Sequence, residues 1–381
     1  MSDENRQFET PDAVMRRALR IARHGIGYVE PNPAVGAVIT DDNLRFLAEG
    51  THHQFGGPHA EVNAIHQTRV PLAGSTLFVT LEPCAHHGKT PPCTDTVIAA
   101  GIRRVFIATA DPAPHTHGAG IERLKSAGIE VHVGLCESQA QRLIAPFRKL
   151  QCSGEPYVLA KWAMTIDGKI ASKTGSSKWI SSERSREVVH RLRGRVDGII
   201  TGIKTVLADD PLLTARPTGP RVATRIILDS YARTPLESQL MKTIDQAPVL
   251  IFVTDKAATG NVHLLRDRGA HVVVAEHDAV TGHLDLRAVL QHLGRKQMTN
   301  ILLEAGPTVL GAFFDAGAID EVHCFIAPKL IGGAAAPSPL AGLGRASMSD
   351  AMDLQFPRIE FFDGDIYFTG ELNPTGGRAG Q

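Results

Sequence analysis

Short apolar runs alternate with longer mixed segments along most of this chain. The runs AVGAVIT, TLFVT, RVFIAT and IEVHV begin at Ala34, Thr76, Arg104 and Ile129, each separated from the next by a segment of helix length. Such runs, bounded by polar or turn residues, predict buried strands. Ahead of them, Val14, Ala18, Leu19 and Ile21 recur at helical spacing, with Thr10 as a cap, Pro11 in the first turn and Gly25 as a stop, so a helix is predicted from Pro11. The rhythm lapses at QCSGEPY, from Gln151, and resumes with YVLAKWA. Further strands are predicted at GIIT (from Gly198), RIILD (from Arg225), VLIFV (from Val249), HVVV (from His271), NILLE (from Asn300) and EVHCFI (from Glu321). Strands interleaved with helices predict layered α/β domains, and the lapse predicts two of them, 1–150 and 151–381.

Composition narrows the function classes. The 381 residues are 43% hydrophobic and 21% charged, enough apolar material for packed cores. Forty Lys and Arg balance forty Asp and Glu, so no basic field exists to hold a nucleic acid non-specifically. Five cysteines, Cys84, Cys93, Cys136, Cys152 and Cys324, are an odd and sparse set that reads as thiols rather than a disulfide framework. No stretch approaches a membrane span or a signal-peptide core, and a cytoplasmic location is expected.

The sharpest chemistry lies in His59-Ala60-Glu61, followed by Pro83-Cys84 and Pro91-Pro92-Cys93. One imidazole and two thiolates suit zinc, and three protein ligands leave the fourth tetrahedral position open, as in catalytic sites. GGPHAEVNAIHQ reads as a loop entering a helix at His59, and PPCTDTVIAAG places Cys93 in a first helical turn, where a thiol is expected to ionise readily. Glu61 is close enough to move a proton without being a ligand, and the reaction class is hydrolytic deamination. Eight residues separate the two cysteines, where zinc deaminases of nucleobases usually have two. That insertion, AHHGKTPP, offers His86, His87, Lys89 and Thr90 to a charged substrate, or is a solvated loop. Two plainer alternatives are buried thiols beside a core histidine, and a closed structural zinc with His86 or His87 as fourth ligand.

Several longer segments carry a family likeness. RALRIARHGIGYVEPNPAVGAVI, GGPHAEVNAI, TLEPCAHHGKTPPCTD and AGIRRVFIATADPAP resemble the deaminase half of the bifunctional riboflavin-biosynthesis deaminase/reductases. KWAMTIDGKIA, SKWIS, HRLRGRVDGIITGIKTVLADDPLLTAR and LLEAGPTVLGAFFDAGAIDEVHCFIAPKLIGG resemble the reductase half. The resemblance implies a cytidine-deaminase-like three-layer α/β/α domain followed by a dihydrofolate-reductase-like α/β domain. It also implies two successive reactions on one phosphoribosylated pyrimidine. Zn²⁺ would serve deamination of 2,5-diamino-6-(5-phosphoribosylamino)pyrimidin-4-one, and NADPH would then reduce the ribosyl group to ribityl. A homo-oligomer formed through the reductase lobe is implied too.

Carried over by position, His59, Cys84 and Cys93 match zinc ligands, Glu61 the proton carrier, and Asn32 a substrate contact, although its Pro flanks also suit a bare turn. Ser177, Arg193, Leu213, Arg216 and Glu304 match substrate positions. Ala163, Trp179, Thr205, Asp209, Ser230 and Gly306 match cofactor positions. The guanidinium forks of Arg193 and Arg216 suit a 5'-phosphate, unless Arg193 merely ends an exposed helix. Lys161 is a candidate for stabilising developing charge or holding a phosphate. No G-x-G-x-x-G is present, so the dinucleotide site rests on likeness alone. Asp167 reads as a turn former before Gly168 or as an active-site carboxylate. Two positions depart from the family pattern: Ala113, where an asparagine is usual, and Ala305, where a glycine is common. Competing readings are a nucleoside or nucleic-acid deaminase with an unrelated second domain, and a metal-stabilised binding protein.

Overall fold

A computed structural model describes residues 7–86, 91–113, 116–278 and 282–372. The chain forms two compact units, Met1–Gly154 and Glu155–Gln381.

The first unit runs α1 (Pro11–Ala22), β1 (Gly36–Thr40), β2 (Phe46–Thr51), α2 (Ala60–Gln67), β3 (Thr76–Val79), α3 (Cys93–Ala99), β4 (Arg104–Ile107), α4 (Ala119–Ser126), β5 (Glu130–Val133), α5 (Glu137–Leu143) and α6 (Ala145–Ser153). Thr10 caps α1 by accepting from the Ala13 N–H, with Pro11 opening the helix. The sheet order is β2-β1-β3-β4-β5; β1 is antiparallel to both neighbours, and β3, β4 and β5 are parallel. Alternation along the strands makes the layers. Val38, Phe78 and Phe106 face Val14, Ala18 and Ala140 on α1 and α5. Ala37, Ile39, Leu77, Val79, Val105 and Ile107 pack with Ala60, Ala64, Val97 and Leu124 from α2, α3 and α4. The result is the three-layer α/β/α arrangement.

The second unit comprises β6 (Tyr157–Thr165), α7 (Glu183–Arg193), β7 (Gly198–Gly202), α8 (Ile203–Asp209), β8 (Thr224–Leu228), α9 (Gln239–Lys242), β9 (Val249–Val253), α10 (Thr259–Asp267), β10 (His271–Val274), α11 (Leu286–Arg295), β11 (Asn300–Leu303), α12 (Pro307–Asp315), β12 (Glu321–Ala327), β13 (Leu354–Phe362) and β14 (Asp365–Leu372). Its nine-stranded sheet has the order β10-β9-β8-β7-β11-β6-β12-β14-β13. Strands β6 to β12 are mutually parallel, and β14 and β13 add an antiparallel hairpin to one side. One face buries Val158, Ala160, Ile226, Phe252, Ile301 and Leu303 under α11 and α12. The other packs Phe325 and Tyr367 against Val188 and Val189 of α7.

The predicted strands all form, but the runs did not announce three others: β2, and the pair β13 and β14. No helix among the described residues is long and apolar enough to cross a membrane.

Candidate active sites

His59 stands at the N-terminal boundary of α2, Cys84 follows β3 on a loop, and Cys93 is the first residue of α3. Two strand-to-helix connections, β2 to α2 and β3 to α3, thus bring their side chains to one place. His59 Nδ1 lies 3.2 Å from Cys93 Sγ and 3.6 Å from Cys84 Sγ, and all three donor atoms fall within 4.8 Å of one another. Zinc–sulfur and zinc–nitrogen bonds of ordinary length in a tetrahedron put donor atoms roughly 3.5–3.8 Å apart, so this donor set fits the ion. No fourth protein donor joins them among the described residues, which favours an open site over a closed structural one.

Cys84 accepts the Cys93 backbone N–H at 3.3 Å. A hydrogen bond from the Cys93 thiol, opposed by burial and reinforced by His59, brings Cys84 down to about 4. The same shared bond and burial push Cys93 up. A bound metal deprotonates both sulfurs.

Glu61, in the first turn of α2, is only 3% exposed. Burial pushes its carboxyl up to about 7, against the pull of His59. A carboxyl poised there can take up and release a proton near neutral pH.

His59, Glu61 and Cys84 line a cavity of about 330 Å³ together with Asn32, His52, Glu82, His86, Asp111 and Ala113, while Cys93 is fully buried. His86 is exposed at its edge, whereas His87, Lys89 and Thr90 lie outside the described residues. Ala113 is 4% exposed and Asp111 Oδ1 is taken by the Ala113 N–H. Asp111 thus braces the turn in which the usual asparagine is missing.

Two residues of this cavity gave no sequence signal. Glu82, 6% exposed, accepts four backbone N–H groups: Asp111 and Gly118 on Oε2, Gly120 and Ile121 on Oε1. It closes the cavity loop onto the start of α4. His52, 2% exposed, bonds Asn32 Nδ2 through Nε2 at 3.2 Å and the Pro58 carbonyl through Nδ1 at 3.0 Å. Burial, eased by that carbonyl, holds its pKa down.

In the second unit the sequence-predicted residues gather along the C-terminal edge of the parallel strands, where open α/β sheets bind ligands. Ala163 lies near the end of β6, Thr205 in α8 just past β7, Ser230 after β8, and Glu304 and Gly306 after β11. Thr205 Oγ1 accepts the Gly306 N–H at 3.0 Å, joining two of them. A Cβ on Gly306 would come 3.4 Å from that hydroxyl. A helix N-terminus with bare backbone beside it fits a cofactor phosphate. Asp209 is exposed one turn beyond Thr205. Ser177 and Trp179 belong to the loop between β6 and α7; Trp179 is 65% exposed, with the Arg186 guanidinium 4.6 Å over its ring. Ala305 packs against the core beneath α12.

Arg193 departs from the phosphate expectation. Its Nε and Nη2 grip the two oxygens of Glu304 at 2.6 and 2.9 Å, and Nη1 reaches the Thr214 carbonyl at 3.3 Å. Lys161 Nζ stands 3.6 Å from Glu304 Oε2. Burial would raise the Glu304 pKa, but Arg193 and Lys161 overcome it and hold the carboxyl at about 2. The fork expected for a phosphate is already filled. Arg216, exposed and bonded to Thr214 Oγ1, keeps more of its donors for that purpose. Between them Leu213 is 4% exposed with φ of 51°, a left-handed conformation that is strained for leucine. Its neighbours are held by Arg225 on the Leu212 carbonyl and by His190 and Arg193 on that of Thr214. Asp167 accepts from Thr165 Oγ1 and from the Ile331 and Gly332 N–H groups, a loop-bracing role.

An open His-Cys-Cys donor set beside a buried carboxyl in one unit, and a parallel sheet with an open C-terminal edge in the other, fit one class: a zinc-dependent deaminase fused to a nicotinamide-dependent reductase. The family model of the cytidine and deoxycytidylate deaminase zinc-binding region matches residues 9–109, and that of the RibD C-terminal domain matches 156–368. The chain belongs to the RibD family and is a bifunctional deaminase and reductase of riboflavin biosynthesis. The riboflavin biosynthesis protein RibD of Actinobacillus pleuropneumoniae is 41% identical, over 92% of this chain and 93% of its own length; that of Escherichia coli is 38% identical, over 92% and 96%. Among solved structures, Acinetobacter baumannii RibD superposes with a TM-score of 0.83 at 33% identity, covering 95% of this chain and 98% of that one. The Thermotoga maritima diaminohydroxyphosphoribosylaminopyrimidine deaminase/5-amino-6-(5-phosphoribosylamino)uracil reductase gives 0.82 at 34%, with the same coverage.

Proposed function

We propose that residues 1–150 deaminate 2,5-diamino-6-(5-phosphoribosylamino)pyrimidin-4-one and that residues 151–381 then reduce the ribosyl group of the product to ribityl with NADPH. The observation that carries the first step is the convergence of His59, Cys84 and Cys93, with His59, Cys84 and the buried Glu61 lining one cavity. His59, Cys84 and Cys93 hold the zinc, which when bound supplies the Lewis acidity that makes a water nucleophilic near neutral pH. Glu61 takes the proton that water gives up and delivers it to the departing amino nitrogen, so the carbon–nitrogen bond breaks with ammonia as leaving group. Asn32 contacts the pyrimidine.

For the second step, Gly306, Thr205, Asp209, Ser230, Ala163 and Trp179 hold NADPH, which supplies the hydride. Ser177, Arg193, Leu213, Arg216 and Glu304 form the substrate side. Arg216 is the phosphate-facing cation, while the Arg193–Glu304 pair, with Lys161, forms a rigid polar floor. Positioning carries most of this catalysis. A homo-oligomer working in the cytoplasm completes the reading; five cysteines free of disulfides fit a reducing compartment.

The test is Glu61→Gln. Deamination should fall at least about 100-fold, while zinc content and reduction of the supplied aminouracil stay at wild-type levels. Ammonia release at the parent rate would overturn the role of Glu61, and ammonia from cytidine in place of the phosphoribosyl substrate would overturn the substrate.

A further inference from the structure

Asn32 is flanked by Pro31 and Pro33, and its backbone N–H is tied to the Val29 carbonyl at 2.9 Å. Little freedom remains in that turn except the orientation of the side-chain amide. An amide offers an acceptor on one side and donors on the other, and turning it over exchanges them. What settles the orientation is a chain of contacts running away from the cavity.

The chain starts at the Pro58 carbonyl. This oxygen can only accept, and it does so from Asn63 Nδ2 at 3.2 Å as well as from His52 Nδ1 at 3.0 Å. The hydrogen of the His52 ring therefore sits on Nδ1, and in the neutral ring Nε2 is left as a lone pair. At 3.2 Å that lone pair faces Asn32, so the Asn32 group turned towards it must be the NH₂. With one N–H spent on His52, Asn32 keeps its Oδ1 acceptor and one N–H for a ligand.

We propose that His52 is a specificity-determining positioning residue, fixing the Asn32 amide so that it reads a pyrimidine edge on which a ring N–H stands beside a carbonyl. The inference rests on the deaminase reading above and names the chemistry it selects. In a 2-aminopyrimidin-4-one, the carbon that loses its amine is bonded to N3–H, and C4=O comes next; Oδ1 accepts from the first and the N–H of Asn32 donates to the second. In a cytosine ring the nitrogen beside the reacting carbon carries a lone pair. The fixed Oδ1 would then oppose another acceptor, leaving buried polar atoms unpaired, the most effective kind of discrimination a binding site has. The same cavity, with the same metal ligands, thus excludes cytidine without any added bulk.

The experiment is a double-mutant cycle on the zinc-loaded full chain. Phenylalanine is the replacement at position 52 because the His52 ring also meets the His59 ring edge-on, with centroids 5.2 Å apart, and an aromatic ring retains that packing. Deamination kinetics are measured on 2,5-diamino-6-(5-phosphoribosylamino)pyrimidin-4-one for wild type, His52→Phe, Asn32→Ala and the double variant, with zinc content determined for each. Each single change should lower kcat/KM about tenfold or more, chiefly through KM. The double variant should be no worse than Asn32→Ala alone, because His52 acts through Asn32. His52→Gln, which can return an acceptor to Asn32, should recover part of the loss.

Losses that multiply in the double variant would overturn the inference, as would a deficit in His52→Phe and His52→Gln that tracks lost zinc. Either result leaves the deaminase reading standing. A wild-type chain that releases no ammonia from this substrate would overturn both.

Discussion

A carboxylate 8% exposed on its side chain, as Glu304 is, stays ionised in the fold because Arg193 grips both oxygens and Lys161 stands behind. Its pKa of about 2 lies below the ordinary 4.5, so the folded state binds the proton less readily than the unfolded one. The stabilisation is complete above about pH 4.5 and is lost as pH falls from there towards about 2. Wild type and Glu304→Gln should accordingly differ in melting temperature by a constant margin at neutral pH, and that margin should close through the acid range; a margin independent of pH would contradict the assignment. Cys84→Ala removes one of three donors. Bound zinc and deamination should both disappear on metal analysis and assay, with reduction unaffected, and zinc retained at full stoichiometry would place the metal elsewhere. His59-Ala60-Glu61 and the two Pro-Cys pairs were legible because ligand type and local turn sit within a few residues. The Arg193 pairing was not, since Glu304 lies 111 residues away, and an arginine pattern does not say which anion fills the fork. Glu82 was silent for a related reason: its partners are backbone groups, which every sequence has; the side-chain partner of His52, Asn32, lies 20 residues away.

At the scale of elements, α4 and the loop carrying Cys84 are fitted through Gly120. A Cβ there would lie 2.0 Å from the Pro83 carbonyl and 3.2 Å from Glu82 Oε1. Gly120→Ala must push the metal-bearing loop aside, and overpacking of this kind costs about 1–3 kcal/mol. Thermal unfolding should show that loss with a fall in deamination, and an unchanged melting temperature would contradict the close approach. In the second unit, Arg225 of β8 is fully buried and donates to the carbonyls of Leu212, Thr243 and Ala247 and to Thr243 Oγ1. Burial, partly offset by Asp245, lowers its pKa to about 10. Arg225→Met would leave those acceptors unpaired, so stability in urea should drop by at least about 2 kcal/mol, and the KM of the reductase should rise as the Leu213 segment loosens. A neutral result would mean that apolar packing compensates, as it can for buried charges. Strands such as β8 and β9 were legible because buried parallel strands are continuous apolar runs. β13 was not: Phe356, Ile359 and Phe361 are 51%, 58% and 72% exposed among polar residues, and Pro357 interrupts the run. Pairing with β14, not burial, holds it in the sheet.

At the scale of the whole molecule, each unit has its own core and its own site. The lapse in periodicity near Gln151 made two units legible, because apolar patterning records cores even where it is silent about chemistry. The proposed nicotinamide site was legible only through family likeness, since the sequence has no glycine-rich fingerprint. Separate cores mean that the two activities should be separable by substitution yet sequential on one substrate. The most direct measurement follows ammonia release and NADPH oxidation together on the purified, zinc-loaded chain supplied with 2,5-diamino-6-(5-phosphoribosylamino)pyrimidin-4-one. One ammonia should appear for each NADPH consumed, with ammonia leading, and removing zinc should silence both signals while the pre-deaminated uracil still oxidises NADPH. Oxidation of NADPH on the diamino substrate without ammonia, or ammonia from the zinc-free chain, would contradict the account.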